Sequence, residues 1–278
     1  MDTAPIPRRK LEFGLDPAIV PKDWANNDAY TTTFLNALSL LFPEGERFFV
    51  ESVKAHMKYI TEPMKADVTG FIGQEAMHGK AHRELNELIV AHGYKQAPYV
   101  EKNLRTFLKS VRKNVLSPKS QLAVTCALEH FTAMMAEQLL TNRKMRDEIS
   151  SSMIGLWCWH ALEETEHKSV AYDVYEAAGG GYVRRVWIMA LATTIFFIAQ
   201  AIVHANLMRT RGVLWKPWTW KGFVKMWIYP AYFTQLVPVY FQYFKPGFHP
   251  TDRDTTALCA HWREQLFGEH GALVKQVA

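Results

Sequence analysis

The chain has 278 residues, 49% of them hydrophobic and 21% charged, so it can bury a large core without small-domain staples. Its three cysteines, Cys126, Cys158 and Cys259, form no C-x-x-C pair, which speaks against a disulfide framework or a thiolate zinc site and fits a reducing cytoplasm. The net charge is +5, but acidic residues are interspersed and no nucleic-acid motif occurs, so nucleic acid is not expected as a partner.

Residues 1–30, rich in proline, asparagine and charge, read as an N-terminal arm; Arg8, Arg9 and Lys10 precede no apolar run, so no export signal is expected. Residues 31–181 carry helical periodicity, with helices expected at about 44–60, 67–91, 118–141 and 151–177. Ser117 caps the third with Pro118 at its first position, and Gly179, Gly180 and Gly181 stop the fourth. Lys102–Lys113 reads as a basic helix outside the bundle, within a crossover link. Residues 182–278 form an apolar, aromatic helical extension. Val186–Val203 has only Thr193, Thr194 and Gln200 as polar residues, and 215–244 interleaves aromatics with Lys216, Lys221 and Lys225. Residues 186–244 therefore either pack on the bundle or a homodimer partner or contact a membrane, and the substrate is expected to be apolar.

Two E-x-x-H pairs stand out, Glu75/His78 and Glu164/His167. That spacing puts carboxylate and imidazole on one helical face, and two such pairs can grip two ions. The other two helices must each add one inward glutamate. On the first, Phe42, Glu46, Phe49, Val53, Met57 and Ile60 share a stripe, selecting Glu46 and leaving Glu44 and Glu51 for solvent. On the third, Leu122, Cys126, Glu129, Ala133, Ala136 and Leu140 select Glu129 over Glu137. The expected ligands are thus Glu46, Glu75, His78, Glu129, Glu164 and His167. Such charges on apolar faces are costly to bury unless paired or metal-bound.

His160, one turn before Glu164, is either a further ligand or a histidine hydrogen-bonded behind a ligand carboxylate. His82, one turn beyond His78, reads as a residue behind the ligands. His130 and Cys126 read as structural, and Glu163 and Glu166 as solvated or ion-paired.

With F-P-E-G-E at 42–46, G-Q-E-A-M-H at 73–78, A-L-E-H at 127–130, W-H-A-L-E-E-T-E-H at 159–167 and F-K-P-G-F-H-P at 244–250, the sequence resembles the ferritin-like di-iron carboxylate superfamily. Within it, residues 8–255 are similar to a bacterial group described as predicted metal-dependent hydrolases. His160 is similar to the extra histidine of the arylamine N-oxygenase branch. The resemblance implies an all-α four-helix bundle with a dinuclear site.

Carboxylates with imidazoles suit iron, with manganese or zinc as alternatives. The sequence ranks an oxygen-activating oxidoreductase of monooxygenase type first, acting on an apolar small molecule with an external electron donor. A hydrolase using metal-activated water comes second and a non-enzymatic iron-binding protein third.

Overall fold

A computed structural model describes residues 6–277 and is all-helical, with no strand among them. The first five residues of the expected arm, and Ala278, lie outside the described residues. The helices are α1 (Ala29–Lys54), α2 (Glu62–Ala91), α3 (Ala97–Asn114), α4 (Pro118–Thr141), α5 (Arg143–Asp147), α6 (Ser151–His167), α7 (Val170–Ala177), α8 (Tyr182–Thr210), α9 (Trp220–Trp227), α10 (Val237–Gln242) and α11 (Thr256–Phe267).

The first helix starts at residue 29, well before the expected 44. Residues 32–41 are buried all round, because α2 lies along one side of α1 and α8 along another. A helix with no solvated face has no amphipathic signature to read. Asp28 caps it, accepting from the Thr31 N–H at 2.8 Å. Pro43 lies inside α1, and the carbonyl it leaves without an i+4 donor is that of Ser39, which faces the Asn86 amide nitrogen of α2 at 3.4 Å.

The expected fourth helix is broken in two at Lys168–Ser169, where the Lys168 ammonium donates to the Arg253 carbonyl and Ser169 to Asp173. The Ser117–Pro118 start is present, with the Ser117 hydroxyl accepting from the Ser120 N–H. Past α7 the chain turns at Gly179, whose φ is +72°.

Helices α1, α2, α4 and α6 surround a common interior: α1 packs along α2, α4 along α6, and α8 crosses α1 and α4. Two apolar cores occupy it. One contains Leu38, Leu41, Leu85, Leu139, Trp157 and Leu162, and the other Phe49, Phe71, Leu122, Cys126, Ala171 and Val174. Glu46 on α1, Glu75 and His78 on α2, and Glu164 and His167 on α6 fall where one core gives way to the other, while Glu129 on α4 is set within the second core and His160 on α6 within the first. The arm is part of the packing: Leu11, Val20 and Trp24 are buried, and isolated bridges join Leu11 to Val277 and Ala25 to Ile149.

Candidate metal centre

Glu46 on α1, Glu75 and His78 on α2, Glu129 on α4, and His160, Glu164 and His167 on α6 all point into this waist and are all buried. Their donor atoms form overlapping groups in which every pair lies within 4.8 Å: Glu46/Glu75/His78, His78/His160/Glu164 and Glu75/Glu164/His167. A further group of the same size joins Glu46, His82 and His160. Glu129 stands at the margin, its carboxylate 3.5 Å from His167 Nε2. Glu75 and Glu164 reach that same nitrogen at 3.4 and 3.6 Å, and Glu164 also lies 3.4 Å from His78 Nδ1.

The outer nitrogen of each imidazole is held by an acceptor, which turns the inner lone pair toward the carboxylates. His78 Nε2 donates to Glu163 at 3.0 Å. His167 Nδ1 donates to the Gln74 carbonyl oxygen at 2.8 Å, an assignment fixed because the Gln74 amide nitrogen donates to Glu166 and to the Pro7 carbonyl. For His160 the holding chain is longer. Asn86 donates to Glu101, so its amide oxygen accepts the Ser39 hydroxyl proton at 2.8 Å. Ser39 must then accept from His82 Nδ1 at 2.9 Å, leaving His82 Nε2 to accept from His160 Nδ1 at 2.6 Å. His160 Nε2 therefore presents a lone pair 2.8 Å from Glu164. Acceptors of this kind orient histidine ligands and raise their basicity.

Within the protein the inner atoms have no hydrogen-bond partner. Both oxygens of Glu46, Glu75 and Glu129, one of Glu164, His78 Nδ1 and His167 Nε2 are buried and unpaired. Unpaired buried carboxylate oxygens are expensive, and cations are the groups that would satisfy them. The residues present therefore fit metal ions. The set is hard and oxygen-rich, and no thiolate joins it, since Cys126 donates to the Ala171 carbonyl instead.

The electrostatics point the same way. Burial, with the neighbouring carboxylates adding to it, lifts Glu46 to about 8 and drives Glu75 well above the usual carboxylate range; Glu129 is raised too. Burial also works against charge on His78 and His167, but the glutamates around them outweigh it and carry them to about 9 and about 10. Against the same burial penalty, the positive charge of His167, with the other imidazoles close by, holds Glu164 well below its ordinary value. His160 is lowered to about 4 by burial and by His78 beside it. The cluster thus attracts positive charge at its inner nitrogens and resists uncompensated negative charge.

Of the residues set aside as non-ligands, Glu44 departs from expectation. Glu44 is buried rather than solvated, because Arg105 of α3 grips it at 2.8 Å, while Glu51 is exposed beside Arg112. Glu163 and Glu166 take the ion-paired alternative: Glu163 is buried between His78 and Arg9 of the arm, and Glu166 is gripped by Arg9 and Arg263. Glu137 pairs with Arg253, away from the cluster. His130 accompanies the Val239 carbonyl, with burial lowering it to about 4. Gln74, Ser39, Asn86 and Glu101 went unnoticed in the sequence.

An apolar pocket reaches the cluster from one end. Leu38 and Phe42 of α1, Met135 and Leu139 of α4, Trp157 of α6 and Phe233 form its walls, and His160 and Glu164 lie at its floor.

These features define an all-helical protein with a buried carboxylate–imidazole cluster able to bind metal. The family model described as predicted metal-dependent hydrolase matches residues 7–254, and the chain belongs to that family. No curated protein and no solved structure matches it.

Proposed function

We propose that the protein is a metal-dependent hydrolase with a dinuclear centre in a bundle of the ferritin-like type, acting on an apolar small molecule. The observation that carries this is the set of inward, unpaired carboxylate and imidazole atoms at the waist. Glu75 and Glu164 each take part in two of the donor groups. Glu46, Glu75, His78, Glu129, His160, Glu164 and His167 would hold the metal, while His82 orients His160.

Metal held by these residues would supply Lewis acidity and an activated water. The chain's own part is to hold the imidazoles in the ligating tautomer, keep bulk water out, and seat an apolar substrate with its reactive end at the floor of the pocket. We expect iron, with manganese or zinc as alternatives, and a cytoplasmic location.

Oxygen activation, ranked first from the sequence alone, becomes the second reading, since the family description favours hydrolysis. What favours it is the oxygen-rich donor set, joined by no thiolate, which suits iron. It would need an external electron donor. The test is to load the protein with ferrous iron or manganese without oxygen and assay apolar esters, amides and phosphoesters with no reductant present. Metal-dependent turnover supports the hydrolase, whereas oxygen consumption only in the presence of a reductant and an apolar substrate supports the second reading.

A further inference from the structure

From residue 177 to residue 251 the chain contains eight Lys and Arg and no Asp or Glu; Arg211 pairs with Asp23, Lys225 with Glu148 and Arg185 is buried, which leaves Arg184, Arg209, Lys216, Lys221 and Lys245 on the surface. Since the whole chain carries +5, everything outside this segment sums to −3. The same segment is the most apolar part of the molecule and leaves much of that apolar surface uncovered. Helix α8 has the length and composition to cross a membrane, yet only 28% of its most apolar window is buried. Val183, Trp187, Leu191, Ile195, Ile198 and Ile202 form an exposed stripe with steps of four and three residues, ~30 Å long at about 1.5 Å per residue. Exposed Arg184 and Arg209 stand at its two ends.

Helices α9 and α10 adjoin α8: Tyr30 packs against His204 of α8 and against Trp220 and Phe223 of α9, and Tyr240 of α10 is hydrogen-bonded to Thr193 of α8. Trp215 is 85% exposed and Tyr229 82%, and Lys216 and Lys221 are interleaved with Trp218 and Trp220. Rings with an apolar body and a polar edge, mixed with lysines, are the composition of surfaces that settle at a lipid headgroup boundary.

We propose that this side of the molecule docks onto an anionic lipid bilayer, with α8 lying in the interface rather than crossing it. Spanning is opposed by the way α8 is tied to the bundle. Gln200 donates to the Phe34 carbonyl at 2.8 Å, His204 donates to the Tyr30 carbonyl at 3.2 Å, and the buried Arg185 guanidinium grips the Tyr243 and Lys245 carbonyls. Withdrawing the helix into lipid would strand these groups. A second copy of the chain is a poorer occupant, because a two-fold interface sets a patch against itself and here would bring cations to cations. An anionic leaflet supplies the missing negative charge as well as the apolar phase.

The test uses the full, metal-loaded chain with vesicles of phosphatidylcholine alone or mixed with phosphatidylglycerol, read by flotation and by tryptophan emission. The chain is expected to float with the anionic vesicles and its emission to shift to the blue. The Lys216→Glu/Lys221→Glu variant should bind at least tenfold more weakly, and Trp187→Ser/Ile198→Ser should lose the blue shift, with metal content and helix content unchanged in both. Failure to float with anionic vesicles would overturn the proposal. So would a dimer in sedimentation that persists with vesicles present and that Trp187→Ser/Ile198→Ser dissolves.

Discussion

The inner nitrogens of three imidazoles face the cluster because three different acceptors occupy the outer ones: Glu163 for His78, Gln74 for His167, and His82 for His160. Losing such an acceptor typically lowers metal affinity by about 10–100-fold. Gln74→Leu and His82→Leu are therefore expected to weaken manganese binding by that order in titration calorimetry, with helix content unchanged, while Gln74→Glu, which keeps an acceptor, should lose less. Unchanged affinity in both leucine variants would mean that these residues only fill space. The inward residues were legible in the sequence because they sit on apolar stripes. Glu163 was not. It neighbours Glu164 but is turned about 100° from it around the helix, and its partners His78 and Arg9 are 85 and 154 positions away, beyond any periodicity.

Among the elements, the long helices α2 and α4 were readable from their stripes and from the Ser117–Pro118 start, whereas the first half of α1 and the break before α7 were not. Residues 32–41 lack a solvated face because α2 and α8, the latter a segment more than 140 positions later, cover them, and at the break Lys168 bonds the distant Arg253 carbonyl. The seat of α9 on α1 is equally nonlocal. A Cβ on Gly222 would stand 2.5 Å from the Asp28 carboxylate that caps α1 and 2.7 Å from Tyr30 Cβ. Gly222→Ala should force the two apart at a cost of about 1–3 kcal/mol, measurable as a lower urea midpoint. An unchanged midpoint would show that α9 is free to shift.

For the whole molecule, the waist is a reservoir of protons when no cation is bound. Glu46, raised from 4.5 to about 8, and His78 and His167, raised from 6.5 to about 9 and about 10, hold protons in the folded chain that the unfolded chain has released. The contribution of Glu46 is fully present below about 4.5 and is lost as pH rises toward about 8, and that of the two histidines is fully present below about 6.5 and is lost toward about 9 and about 10. The opposing groups, Glu164 and His160, have lowered values and act below about 6.5, so above it the loss is unopposed by them. The metal-free protein should accordingly melt at progressively lower temperature between pH 6.5 and about 9. Manganese, whose binding displaces those protons, should widen the gap between loaded and metal-free forms over the same range. A metal-free melting temperature that rises with pH would contradict this proton count.

The clasp on Glu166 also orders events in time. Its carboxylate is held by Arg9 from 157 positions before it and by Arg263 from 97 positions after it, and through Gln74 the same carboxylate steadies His167. Loops that long close late, after the local pairing of α1 with α2 and of α4 with α6. A nascent chain can thus hold much of its helix before it can hold its ions firmly, so capture of metal marks the end of folding rather than its beginning.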